Sequence, residues 1–128
     1  FQVQSWRVFT EERDGVNISE ATVKLTAKGE RHMVVGEGNG PVNALDGALR
    51  QALAVPFPAV AEFELTDYRV RILDEGHGTD ASVRTLIDTS YNGSTWTTVG
   101  VGTNVIEASW EALMDSLAYG ILTHLRAE

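Results

Sequence analysis

The sequence contains no cysteine, few basic residues and no long apolar run, and each shortage excludes a class of protein. Without cysteine the chain has neither a disulfide framework nor a thiolate zinc site. Ten lysines and arginines stand against eighteen aspartates and glutamates, which gives a net charge of −8. Because an acidic surface repels phosphate backbones, no nucleic-acid partner is predicted. No apolar run approaches the roughly eighteen residues of a membrane span, so no membrane partner is predicted either.

Length and composition are typical of one globular domain. The chain has 128 residues, of which 43% are hydrophobic and 22% charged, and this predicts a single domain over residues 1–128. The N-terminus lacks the charged and apolar regions of a secretory signal, and the absence of cysteine suits a reducing compartment, so a cytoplasmic location is expected. A chain that starts without Met inside a strand-like pattern is interpreted as a piece of a larger protein.

A duplication divides the sequence into two halves. Residues 36–44 (GEGNGPVNA) and 100–108 (GVGTNVIEA) align without a gap at a separation of 64 residues. Each copy follows alternating apolar and polar residues, as in a strand, and precedes a segment with helical spacing. Because only two copies exist, the duplication predicts two repeats at about residues 1–58 and 61–128, related by a pseudo-twofold axis, rather than a solenoid.

Three strand-like segments are predicted in each repeat. In the first repeat they cover residues 1–12, 22–27 and 32–37. A change of phase near Ser5 is typical of a β-bulge, and a connection longer than a tight hairpin is expected after Asp14-Gly15. In the second repeat the segments cover residues 62–74, 81–90 and 95–101, and Asn92-Gly93 is a hairpin signal.

One helix follows the third strand of each repeat. An apolar stripe at spacings of three and four begins at Val42, Pro41 occupies a first-turn position that tolerates proline, and two prolines after Val55 end the helix. In the second helix Asn104 and Glu107 have the spacing of a capping box. The predicted fold is therefore α+β, with two pseudo-twofold related β-β-β-α units of antiparallel strands and one helix per unit.

Few residues are placed to support catalysis. The three histidines lack the spacing of a metal site, and no nucleophile elbow is present. Residues 74–80 (DEGHGTD) combine three carboxylates with His77, which is compatible with an acid–base or metal site on a loop but more typical of a solvated turn between strands. An independent enzyme built on this loop is the weakest functional hypothesis, because no nucleophile–base pair can be named.

Glycine-lined segments precede both helices. Backbone N–H groups at a helix N-terminus attract an anionic group such as a carboxylate, so Gly38 and Gly40 are candidates for binding a small ligand, as is Gly102 in the second repeat. The alternative is that the glycines only let the strand bend into the helix. The residues alone leave these two interpretations open. The dinucleotide-binding pattern GxGxxG is not met, because position 41 is proline.

Three segments, 38–45 (GNGPVNAL), 65–70 (LTDYRV) and 78–84 (GTDASVR), resemble the allosteric domain shared by 2-isopropylmalate synthases and citramalate synthases. Residues 96–113 resemble citramalate synthases more closely, and the resemblance covers nearly the whole chain. It implies a β-β-β-α pseudo-dimer that forms a homodimer. It also implies a parent enzyme with an N-terminal catalytic TIM barrel, a divalent metal and acetyl-CoA as a substrate. No cofactor is expected in this domain itself.

The resemblance further implies a branched-chain amino-acid effector near the dimer interface, isoleucine for citramalate synthases and leucine for 2-isopropylmalate synthases. The polar end of the effector is expected at the backbone of Gly38, Asn39 and Gly40. Asn43 stands where citramalate synthases often have an acidic residue, and a neutral amide binds an ammonium less strongly. The residues expected at the apolar end are Val42, Leu65, Tyr68, Ile72, Ala81 and Val83.

The predicted function is therefore feedback regulation of a citramalate synthase-like acyltransferase by isoleucine. A leucine-binding domain of a 2-isopropylmalate synthase and a module that only dimerises are the alternatives. The glycine-lined helix start favours ligand binding over dimerisation alone. A carboxylate introduced by Gly38→Asp is expected to abolish effector binding without unfolding the domain.

Overall fold

The computed structural model describes residues 1–73 and 82–125. Within these residues the chain forms β1 (Gln2–Arg13), β2 (Val16–Ala27), β3 (Glu30–Gly38), α1 (Pro41–Ala54), β4 (Glu64–Leu73), β5 (Ser82–Tyr91), β6 (Ser94–Gly102) and α2 (Val105–Gly120). A 3-10 helix at Pro58–Glu62 follows α1, and a π-helical turn at Ile121–Leu125 follows α2. None of the described helices is long and apolar enough to cross a membrane.

The chain divides into two compact units, Phe1–Ala61 and Glu62–Glu128. Each unit holds one three-stranded antiparallel sheet, with strand orders β1-β2-β3 and β4-β5-β6. One α-helix follows the third strand of each sheet. The predicted α+β class and the two β-β-β-α units are therefore confirmed.

The first hairpin differs from the prediction. β2 begins at Val16 and pairs with β1 directly from the turn, so the long connection expected after Gly15 is wrong. Asp14 and Gly15 have φ values of 54° and 79°, as a tight two-residue hairpin turn requires. The alternation of apolar residues changes phase inside β2, because Val16 and Ile18 face away from α1 whereas the next apolar residues face it. Because of that change of phase, the apolar pattern did not predict residues 16–21 as part of the strand.

The other two described hairpins have the same turn. Lys28-Gly29 has φ values of 50° and 79°, and Asn92-Gly93 has values of 51° and 84°. The hairpin predicted from Asn92-Gly93 is therefore confirmed. The pairing register also shifts between Val3 and Ser5 in β1, and between Leu65 and Asp67 in β4. The β-bulge predicted near Ser5 is confirmed, and the second repeat contains its counterpart.

Each helix covers one face of its own sheet. In the first unit α1 packs on β2 and β3, and the side chains of Val23, Leu25 and Leu49 are fully buried. In the second unit α2 packs on β5 and β6, where Trp96 and Trp110 are 8% and 6% exposed. The indole N–H of Trp96 donates to the Ser116 carbonyl at 3.1 Å. Both tryptophans therefore belong to the core of the second unit.

Candidate functional site

Close packing explains two glycines at the β3–α1 junction. A Cβ atom at Gly38 would lie 2.7 Å from the backbone nitrogen of Ala44, and one at Gly36 would lie 2.7 Å from that of Ala48. Side chains do not reach such distances, so both glycines are needed for α1 to lie on β3. The expectation that Gly38→Asp leaves the fold intact is wrong, because the new Cβ would collide with the helix backbone.

Gly40, in contrast, borders open space. No heavy atom would lie within 4 Å of a Cβ atom at this position, and its φ of −150° and ψ of 171° are accessible to any residue. Gly40 is the N-cap of α1, and its carbonyl accepts the first helical hydrogen bond from Ala44 at 3.0 Å. No side chain caps this helix start, and its first turn has no acidic residue. The positive end of the α1 dipole is therefore available to an anion.

The start of α2 is capped by its own residues. The Asn104 side-chain oxygen accepts from the Glu107 backbone N–H at 2.9 Å, which confirms the predicted capping pair. The Glu107 carboxylate accepts from the Asn104 amide at 3.0 Å and from the Thr103 hydroxyl at 2.6 Å. Gly102 also packs closely, since a Cβ atom there would lie 2.8 Å from that of Glu107. The two helix starts align in sequence, but only the second has a carboxylate in the first turn of its helix.

A groove of about 230 Å³ lies beside the start of α1. It is lined by Val16, Asn17, Ile18, Glu37, Gly38 and Asn39. Gly38 pairs with Ser19 of β2, a buried residue whose hydroxyl is hydrogen-bonded to that of Thr10 at 2.9 Å. Two predicted effector residues thus border an open groove. Val16 and Ile18 form the apolar part of the groove lining. The sequence did not indicate this, because β2 was expected to begin after them.

The predicted apolar contacts of the second unit lie on β4 and β5. Ile72 pairs with Val83, and Val83 pairs with Gly102, so these three residues form one row at the start of α2. Ile72 is 64% exposed, whereas Val83 is 6% exposed. The hydroxyl of Tyr68 is hydrogen-bonded to that of Ser109 on α2 at 2.6 Å. In the first unit the corresponding row consists of Thr10, Ser19 and Gly38, and it is polar.

The structure therefore places the predicted site residues in two sets, each within its own unit. Gly38, Asn39, Gly40, Val42 and Asn43 are contiguous around the start of α1. The set on the second sheet comprises Leu65, Tyr68, Ile72 and Val83.

Two features predicted from the sequence, Ala81 and the acidic segment around His77, lie outside the described residues. Among residues 1–73 and 82–125, no group of three or more His, Asp or Glu side chains could hold a metal ion. A second groove, of about 250 Å³, lies on the second sheet beside Arg69, Arg71 and Arg84. It is lined by none of the predicted site residues.

Taken together, the strand order, the duplicated bulges and the glycine-packed helices define a duplicated β-β-β-α domain. Residues 1–121 match the model of the LeuA allosteric (dimerisation) domain, and the chain belongs to this family.

Similar curated proteins are synthases. The chain is 56% identical over 123 residues to an (R)-citramalate synthase of Streptomyces coelicolor, a match that covers 95% of the chain and 23% of that protein. It is 47% identical to an (R)-citramalate synthase of Synechocystis, over 94% of the chain and 22% of the relative. A 2-isopropylmalate synthase of Sodalis glossinidius is 32% identical over 85% of the chain and 19% of its own length. The chain thus spans less than a quarter of these relatives.

Proposed function

We propose that this domain forms a homodimer and binds a branched-chain amino acid that regulates a synthase of the citramalate type. The observation that carries the proposal is the contrast between the two helix starts. α1 begins at an uncapped glycine beside a groove, whereas α2 is capped by Asn104 and Glu107. An effector carboxylate is therefore assigned to the start of α1. Membership of an allosteric domain family supports a regulatory ligand.

The proposed polar contacts are the backbone of Gly38, Asn39 and Gly40, with Asn43 on the first turn of α1. The uncompensated helix dipole favours a carboxylate there over a neutral group. For the apolar side chain of the effector we propose the contacts that the family resemblance implies: Val42, Leu65, Tyr68, Ile72, Ala81 and Val83. Exposure of Ile72 on a strand supports this assignment, because a large apolar residue that is left open to solvent is a candidate contact.

Isoleucine is the proposed effector, with leucine as the alternative. Sequence similarity supports this choice: the relatives with 56% and 47% identity are (R)-citramalate synthases, and the 2-isopropylmalate synthase is 32% identical. By the same reasoning, the parent protein is proposed to be a cytoplasmic acyltransferase that uses acetyl-CoA. Its catalytic TIM barrel and divalent metal would belong to the part of the protein outside this chain.

A thermal-shift comparison of isoleucine and leucine tests the proposal. A ligand at 100 times its Kd stabilises a folded domain by about 2.7 kcal/mol, which raises the Tm by several degrees for a chain of this size. Isoleucine is expected to give the larger shift. The difference should be modest, because moving one methyl group in an apolar pocket changes binding by roughly 1–3 kcal/mol.

Gly40→Asp separates binding from folding. Aspartate is a favourable N-cap, so the variant should be at least as stable as the wild type, yet its carboxylate should repel that of the effector and remove the thermal shift. Gly40→Asn is the matched control, since it caps the helix without a negative charge and should retain at least part of the shift. A larger shift with leucine would favour the 2-isopropylmalate branch. No shift with either amino acid at millimolar concentration would leave dimerisation as the only function.

A further inference from the structure

One face of the first sheet is open and partly apolar. Val34 and His32 pair with Val23 and Leu25, whose buried side chains face α1. Since successive strand residues point to opposite faces, the residues between them on β3 point away from the helix. Met33 and Val35 are 63% and 53% exposed there. On the same face Phe9 of β1, which pairs with Glu20 of β2, is 59% exposed. Exposed apolar residues grouped in this way mark an interaction surface.

The charges on this face follow a particular order along β3. Its open-face residues are Arg31, Met33, Val35 and Glu37, which read as cation, apolar, apolar and anion. This order is antisymmetric about Val34. A second copy of the strand running in the opposite direction would therefore place each charge against its opposite and each apolar side chain against another. Self-complementarity of this kind is what a twofold interface requires.

The acidic end of the face brings two carboxylates together. Glu20 and Glu37 lie directly opposite each other on β2 and β3, and like charges in that position destabilise a sheet. Neither carboxylate, nor Arg31, has an ion-pair partner within residues 1–73 and 82–125. The second sheet is different, because Arg69 pairs with Asp67 at 3.1 Å and with Asp88 at 3.3 Å. Arg7 and Lys24 are the other cations of the open face, but they pair with Thr22 and Met33 rather than with Glu20 or Glu37. A cation from a partner placed against Glu37 would therefore relieve the repulsion.

We propose that this open face is the dimer interface and that its occupant is the same face of a second copy. β3 stacks antiparallel on β3 of the partner, so that Arg31 lies against Glu37 of the partner subunit and Met33 lies against Val35 of the partner subunit. Sheets packed face to face lie about 10 Å apart with nearly aligned strands, which leaves room for these side chains. The inference rests on the proposed homodimer and specifies which surface forms it.

Charge exchange tests the interface. The contact between position 31 of one subunit and position 37 of the other occurs twice in a twofold dimer. Arg31→Glu or Glu37→Arg alone therefore creates two like-charge contacts, and each variant should weaken dimerisation about tenfold. The double variant exchanges the two charges and restores both contacts, so its dimer Kd should return to within about threefold of wild type. Glu30→Arg is the matched control. It makes the same change of charge as Glu37→Arg next to the open-face residues of β3, and it should leave the dimer Kd unaltered. Sedimentation without added amino acid measures the dimer Kd of the wild type and of all four variants.

A charged substitution at an apolar position of the same face provides a second test of the interface. Val35→Asp buries a carboxylate against Met33 of the partner subunit and should give a monomer at micromolar concentration, with an unchanged circular dichroism spectrum because Val35 is exposed in the single chain. If the wild type is dimeric and the charge variants and Val35→Asp all dimerise as well as it does, the dimer uses another surface and the inference is wrong. A monomeric wild type would instead contradict the proposed homodimer itself.

Discussion

Among single residues, Gly38 and Gly40 differ in what they contribute although they are two positions apart. Gly38 lacks a side chain because the backbone of α1 passes over it, whereas Gly40 borders open space. A substitution at Gly38 therefore tests the packing of α1 on β3. One at Gly40 tests the accessible helix start. Gly40 has room for a new side chain, whereas Gly38 has none and lines the adjacent groove with its backbone.

Asp115 introduces a pH dependence of stability. Partial burial raises the pKa of its carboxyl, and the Glu111 carboxylate one helical turn earlier raises the pKa further. The native state therefore binds this proton more tightly than the unfolded chain does. The stabilisation is fully present below the unfolded pKa and is lost as the pH rises through the folded pKa, which lies above it.

Asp115→Asn is consequently expected to raise the free energy of unfolding at neutral pH by about 0.2–0.5 kcal/mol, the usual cost of a like-charge pair four residues apart in a helix. The gain should disappear near pH 3, where the Asp115 carboxyl is protonated and no longer repels Glu111. Urea denaturation at the two pH values measures it. Asp46→Asn is the matched control and should have the opposite sign at neutral pH, since Asp46 pairs with Arg50 at 2.9 Å. A loss of stability in Asp115→Asn at neutral pH would contradict the argument.

At the level of secondary-structure elements, the cap of α2 makes a measurable contribution. Asn104 satisfies the Glu107 backbone N–H, and its amide also donates to the Glu107 carboxylate. Asn104→Ala should lower the free energy of unfolding by about 1 kcal/mol, as is usual for loss of an N-cap. Thermal denaturation monitored by circular dichroism provides the measurement. Asn104→Ser is the comparison, because a serine N-cap keeps an acceptor for the Glu107 backbone N–H; equal losses in both variants would show that this acceptor contributes nothing.

The strands show why some elements are harder to predict than others. Asn92-Gly93 is a recognisable turn, and its hairpin could be predicted from two residues. The hairpin at Asp14-Gly15 has the same backbone, but Val16 and Ile18 after it are on the opposite face from Val23 and Leu25. A prediction that follows the apolar residues of one face therefore places the start of β2 too late in the sequence.

For the whole molecule, the proposed interface and the proposed effector groove share a boundary. Glu37 belongs both to the open face of the first sheet and to the lining of the groove. If both proposals hold, an effector bound beside α1 lies at the rim of the dimer, where it can alter the contact between subunits. Binding and association would then be coupled through one short segment.

The chain alone is expected to have no synthase activity. It spans less than a quarter of the synthases it resembles, and a catalytic TIM barrel requires about 250 residues. Incubation with acetyl-CoA, pyruvate and a divalent metal should release no coenzyme A above the rate of a control without protein. Turnover that increases with the concentration of the chain would contradict the regulatory assignment.

The sequence by itself determined the features that depend on neighbouring residues. The bulge near Ser5, the Asn92-Gly93 turn, the Asn104 cap and the end of α1 before Pro56 all follow from local backbone and hydrogen-bonding preferences. The order of strands and helices, and the family resemblance, could also be read from it. These properties need no knowledge of distant contacts.

Only the tertiary structure decided the properties that depend on residues distant in sequence. The alternation of β3 identifies two faces, but the packing of α1 determines that Arg31 and Glu37 are on the open one. Similar glycine motifs precede both helices, yet side chains cap only the second. The approach of Ala44 to Gly38 depends on the position of a helix packed against a strand. Propensity and periodicity describe one segment at a time, whereas burial and close approach arise from segments packed together.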